Sequence, residues 1–201
     1  MLKDKFYTLC KNFIKDSKRV DFLWEEIVFR HSHKKRPYHN LAHLENIYEE
    51  FQPLTLNPTI EFSIFYHDII YDVKNKNNEE ESAFLARKRL ITLKLDSKLI
   101  EKVSKLIIET KNHLPTSIEN RLFLDADLAI LGSKNSKYIA YTEKIREEYL
   151  IYEDALYKQG RRAVLKSFLT KERIYHSDFF YHKYEKQAQE NILKEYNSLL
   201  I

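Results

Sequence analysis

The sequence predicts an all-α fold, a single-domain helical bundle covering residues 1–201. Three observations carry that expectation. Only two glycines and four prolines occur in 201 residues, which favours helices joined by short connections. Leu, Ile, Lys and Glu are abundant, and most of these straight-chain residues lose little rotamer freedom in a helix. Apolar residues recur at helical spacing in one segment after another. The length is sufficient to bury a real core.

Taken in order, residues of about 3–15 and 20–33 read as two amphipathic helices, the second carrying Phe22, Leu23, Trp24, Ile27, Val28 and Phe29. His31 and His33 fall at its polar end beside Lys34, Lys35 and Arg36, where solvated basic residues suit a helix C-terminus. Pro37 breaks the chain. A helix of about 40–52 follows with Asn40 as N-cap, then a short loop bracketed by Pro53 and Pro58. The helix of about 58–71 is apolar on its middle turns and is expected to be central. After a polar loop, Asp72 to Asn78, the run Asn78-Glu79-Glu80-Glu81 opens another helix with acids in its first turn, as the dipole prefers. Helices of about 97–111 and 119–131 are separated by His113-Leu114-Pro115, and Gly132 is expected as the C-cap of the second. The remainder reads as helices of about 135–157, 159–170 and 178–199. Their tyrosines (Tyr138, Tyr141, Tyr149, Tyr152) fall at helical spacings that indicate packing, and these helices offer a face for a homodimer or for closing over a cleft.

The formal charge of +4 is mild and the two signs alternate along the chain, so a stable nucleic-acid partner is not expected, while small anions are compatible. A lone Cys10 excludes an internal disulfide framework and makes a reducing compartment the default. The segment Met1-Leu2-Lys3-Asp4-Lys5 lacks a signal-like apolar region, and no window approaches the roughly 18 apolar residues of a membrane span. A cytoplasmic protein without a membrane partner is the expectation.

Three polar breaks in apolar segments stand out. His39 and His43 are four apart, on one face of a helix. His67-Asp68 ends the run Phe62-Ser63-Ile64-Phe65-Tyr66, and Asp125 and Asp127 interrupt the stretch from Leu122 to Leu131. Carboxylates are costly to desolvate unless paired or bound to a cation, so three such breaks suggest one shared metal site. The zinc-protease pattern needs Glu after the first His, and Asn40 stands there instead. Imidazole with carboxylate suits a borderline divalent ion such as Zn, Mn, Fe, Co or Ni.

The order His43, His67-Asp68, Asp127 resembles the HD-domain superfamily of metal-dependent phosphohydrolases, whose fold is all-helical. Tyr38-His39-Asn40-Leu41-Ala42-His43 also resembles the HNxxH segment of the distantly related cyclic nucleotide phosphodiesterases. More closely, Arg36 to Asn40, Phe65 to Asp72, Asn78-Glu79, Ser82-Ala83, Leu124 to Gly132, Ile145 to Tyr149 and Gly160-Arg161 are similar to a bacterial group described as predicted metal-dependent HD-superfamily phosphohydrolases. The resemblance implies His43, His67, Asp68 and one of Asp125 and Asp127 as ligands of about one divalent ion per chain, with Mg added to the metals above. Asp127 is preferred, because Asp127-Leu128 matches the family's aspartate–leucine step. Two residues apart on a helix point about 200° apart, so Asp125 is expected either to be exposed or to hold another helix.

The resemblance further implies metal-assisted hydrolysis of a phosphoester in a nucleotide or other small phosphorylated molecule. Asp68 would orient the attacking water and His39 would protonate the leaving oxygen. Arg36, Lys111, Arg146 and Arg161 are candidates for holding an anionic substrate, and His113 for a second ion or a phosphate. Asp72 and Glu79 are candidates for bracing the ligands or binding ions through water. A di-iron oxygenase is a second expectation for such a domain, although no histidine occurs in residues 114–126, where two-metal members carry one. A nucleotide-binding module without catalysis is the third.

Overall fold

A computed structural model of the chain describes residues 1–52 and 54–200, so Pro53, expected to open the loop before Pro58, lies outside them. Among the described residues every regular element is helical. The contacts fall into two compact units, Met1–Thr116 and Ser117–Ile201. No described helix is long and apolar enough to cross a membrane.

The first unit holds α1 (Leu2–Lys11), α2 (Ser17–His31), α3 (Leu41–Glu50), α4 (Pro58–Tyr66), α5 (Asn78–Thr92) and α6 (Ser97–Glu109). Side chains at the N-caps fix where several of these begin. Asp16 accepts from Arg19 N at 3.1 Å, Asn40 from Ala42 N at 2.8 Å, Asn57 from Ile60 N at 3.0 Å and Asp96 from Leu99 N at 3.0 Å. Each such cap stabilises its helix by about 1 kcal/mol. Pro58 occupies the first turn of α4, where its missing N–H costs nothing.

The central element is α4, as its composition predicts: Phe62, Ser63, Ile64, Phe65 and Tyr66 are all fully buried. It packs on α6, α3 and α5. Phe65 makes a T-shaped contact with Phe6 of α1 at 4.9 Å between ring centroids and lies 5.5 Å from the Tyr48 ring of α3. Burying such a ring is worth about 1.5–3 kcal/mol. Glu26 and Arg89 join α2 to α5 through two hydrogen bonds of 2.6 and 2.8 Å.

This helix ends at Tyr66, five residues earlier than the sequence predicts, and His67 is its C-cap. Periodicity cannot show why, because the competing bonds come from other elements. Ser82 Oγ accepts from Ile70 N at 3.0 Å and donates to Ile70 O at 3.2 Å. The Asn78 amide likewise takes the N–H and C=O of Asp72, at 3.0 and 2.9 Å. The backbone after Tyr66 is thereby drawn onto the start of α5 and leaves the helical ladder.

The second unit holds α7 (Ile118–Asp127), a 3-10 turn (Ala129–Gly132), α8 (Asn135–Glu148), α9 (Asp154–Leu169) and α10 (Asp178–Ser198). Two expectations are corrected here. Gly132 is no left-handed cap, since no glycine has positive φ. It instead lets α10 approach, because a Cβ at 132 would stand 2.5 Å from Tyr184 Cβ. The helix expected over 135–157 ends at Glu148, where Arg146 donates to the carbonyls of Tyr149 at 2.9 Å and Tyr152 at 3.2 Å. Those bonds satisfy carbonyls that a continued helix would otherwise use.

Candidate metal centre

His43 is carried by the first turn of α3 and is buried. His39 is not on that helix. Asn40 caps α3, and its amide also donates to Pro37 O at 2.8 Å, so residues 37–40 form a tight turn instead of the helical face that the spacing predicts. The turn still brings the two rings together, with His39 and His43 centroids 5.6 Å apart. The asparagine that replaces the zinc-protease glutamate thus has a local task, which is to set the entry of the histidine pair.

His67 sits at the end of α4. Its Nδ1 lies 3.1 Å from Ile64 O and 3.3 Å from Ser63 O, so Nδ1 carries the proton and Nε2 presents a lone pair. That lone pair faces His43 Nε2 at 3.2 Å and Asp68 Oδ2 at 3.1 Å, while His43 Nε2 and Asp68 Oδ2 are 3.8 Å apart. His67 and His43 are buried and Asp68 is partly exposed. A single cation could be bound by all three atoms at once. Ligand bonds of about 2.0–2.2 Å place neighbouring donors roughly 3–3.5 Å apart, which fits the two separations from His67, while the His43–Asp68 separation of 3.8 Å is slightly wider. Two imidazoles and a carboxylate suit a transition ion better than Mg, which prefers oxygen and water. The residues present therefore fit a divalent metal, and the ligand atoms of His43, His67 and Asp68 all lie within 4.8 Å of one another.

Around this triad the chain supplies further order. The Tyr71 ring stacks on His39 at 4.3 Å and Tyr38 lies 5.1 Å from His43. Arg36 is buried, with Nε donating to His39 O, Nη1 to Arg30 O at 3.2 Å and Nη2 to Asp68 O at 2.6 Å. His31, expected in solvent, is 1 % exposed, and its Nδ1 donates to Ile27 O at 2.9 Å. Burial, then the Arg36 guanidinium, depress its pKa to about 3, so the ring is neutral. His33 is exposed as expected.

The remaining candidates take up other contacts. Lys111 reaches Glu80 at 2.6 Å, Lys76 O at 2.8 Å and Glu79 at 3.9 Å, linking the end of α6 to the start of α5. Asp72 turns its carboxylate onto Lys74 N at 2.9 Å. His113 follows α6 with φ of 50°, a left-handed conformation uncommon outside glycine. Asp127 closes α7 in the second unit, where Arg146 also pairs with Asp154 at 2.5 Å. Arg161 is spent on Glu195, at 2.7 and 3.0 Å, in a buried pair joining α9 to α10. Asp125 is fully buried and accepts from His176 N at 2.8 Å, Ser177 N at 2.7 Å and Ser177 Oγ at 2.5 Å, holding the start of α10.

The bracing roles of Tyr71, Asn78 and Ser82 are not readable from periodicity. All three lie within the runs on which the family resemblance rests, and that was the available signal. No family model matches this chain, and neither does any curated protein or solved structure.

Proposed function

We propose that this chain is a metal-dependent phosphohydrolase acting on a small phosphorylated molecule, a nucleotide included. The observation that carries the reading is the convergence of two imidazole nitrogens and a carboxylate oxygen, each within 3.8 Å of the others, in a largely buried position. Together with the order of motifs along the chain, this supports a site of the HD type. When bound, a divalent ion supplies Lewis-acid polarisation of a phosphoryl group and a lowered pKa for water.

The chain's own residues divide the remaining work. His43 and His67 hold the ion through Nε2. Asp68 ligates through one oxygen and accepts a hydrogen bond from the attacking water with the other. His39, stacked on Tyr71, donates a proton to the departing oxygen, a task that suits an imidazole near neutral pH. From the resemblance we also carry Asp127 forward as a ligand.

The test is elemental analysis per chain, without added chelator, on the wild type and on His67→Ala, Asp68→Ala and Asp127→Asn, paired with turnover of bis(p-nitrophenyl) phosphate. About one transition ion in the wild type, lost together with turnover in the first two variants, is expected. Metal retained by both of those variants would sink the reading. Metal retained by Asp127→Asn alone would remove only Asp127 from the ligand set.

A further inference from the structure

We propose that Arg36 is a positioning residue of the metal centre, whose buried guanidinium fixes the main chain of Asp68 and of His39 at once, and that it is not a substrate contact. This inference rests on the metal centre proposed above.

Arg36 is 5 % exposed, an unusual place for a permanent charge. Such a charge is tolerable in the interior only where its N–H groups are matched by acceptors. Here the acceptors are main-chain carbonyls from three separate segments. Nε donates to His39 in the turn before α3, Nη1 to Arg30 at 3.2 Å near the end of α2, and Nη2 to Asp68 at 2.6 Å after α4. The guanidinium also lies 5.4 Å over the ring of Tyr71, whose face stacks on the His39 imidazole at 4.3 Å. One side chain therefore touches the backbone of a proposed ligand and of the proposed proton donor, and the aromatic ring that orients the latter.

The geometry explains why arginine stands here. Its fork is planar and rigid and presents donors in several fixed directions, whereas a lysine ammonium offers its donors from one point. Anchoring the Asp68 carbonyl fixes the peptide plane beside the carboxylate, just where α4 has ended and its helical bonds have been given up. Ser82 and Asn78 brace the same turn further along, at Ile70 and Asp72, with uncharged hydrogen bonds. Each nitrogen of the fork already donates to the main chain and the residue is 5 % exposed, which leaves little of it for a phosphate to reach.

Groups that orient metal ligands from outside the coordination sphere typically alter affinity 10- to 100-fold when removed. The experiment is titration of chelator-stripped full-length protein with Mn²⁺ and with Zn²⁺ alone, in the wild type, Arg36→Met, Arg36→Lys and a control, Arg89→Met. The control removes an ion pair of the same unit that joins α5 to α2. Metal affinity is expected to fall roughly 10- to 100-fold in Arg36→Met and by less in Arg36→Lys. Arg89→Met is expected to lower the melting temperature and to bind metal as the wild type does. Wild-type affinity in both Arg36 variants overturns the proposal, as does an equal loss in the control, which would mark the effect as general destabilisation. Should Arg36→Met fail to fold, Arg36→Lys decides: weakened binding supports the proposal and wild-type binding overturns it. A wild type that takes up neither metal would instead overturn the metal centre itself, and this inference with it.

Discussion

The imidazole of His31 lies in the interior at the last position of α2, held by its Nδ1–H on Ile27 O. Its pKa falls from 6.5 to about 3, first through burial and then through the positive charge of Arg36. The folded chain therefore keeps this ring neutral at pH values where the unfolded chain protonates it. Stability from this group is fully present above pH 6.5 and is lost as pH falls towards about 3. The slope approaches ~1.4 kcal/mol per pH unit, one proton's worth. Denaturant unfolding of wild type and His31→Met between pH 7 and pH 4 is expected to show that slope in the difference between the two, and a flat difference would exclude it. Solitary histidines beside lysines look solvated in a sequence, since neither burial nor the Ile27 bond leaves a mark there. The aspartates were more legible. Their spacing already set Asp125 apart from Asp127, and Asp125 indeed serves the Ser177 turn.

At the scale of elements, the two glycines make opposite demands. Gly132 ends the 3-10 turn against α10, and an added Cβ would meet Tyr184 Cβ at 2.5 Å and Tyr184 O at 2.8 Å, where the main chain itself must move. Gly160 lies inside α9 with nothing within 4 Å of an added Cβ. Gly132→Ala is expected to destabilise by about 1–3 kcal/mol through overpacking. Gly160→Ala is expected to stabilise by about 0.5–1 kcal/mol, because alanine loses less backbone entropy than glycine in a helix. Chemical denaturation of both variants checks the pair, and changes of the same sign would contradict this account. Most helix starts were readable because caps such as Asn40 act within three residues of themselves, whereas α9, expected from about 159, begins at Asp154 without a side-chain cap. Two helix ends were not. Those of α4 and α8 depend on Ser82, Asn78 and Arg146, whose bonds to the main chain reach beyond the helical pattern.

Over the whole molecule, the all-helical architecture follows from composition, since a chain with two glycines and four prolines has few places to turn. The triad was legible for a different reason: His43, His67 and Asp68 each interrupt an apolar stretch, and a polar group left in the interior needs a partner. What spacing could not supply is the arrangement that makes them one centre, set by the turn at 37–40 and by the early end of α4. That arrangement has a thermodynamic consequence independent of any substrate. The candidate ligands belong to α3 and to the end of α4 and are gathered only in the folded chain, so a metal held by them would bind the native state and stabilise it by mass action. At free metal 100-fold above Kd the gain is ~2.7 kcal/mol, or a rise in Tm of roughly 5–10 °C for a chain of this size. Thermal melts of stripped protein against increasing Mn²⁺ or Zn²⁺ are expected to show Tm climbing with the logarithm of metal concentration. Asp68→Ala and His67→Ala should hold a constant Tm over the same range. A wild-type melt insensitive to both metals would mean that the three groups meet for a structural reason alone, bridged by a proton and not by a cation.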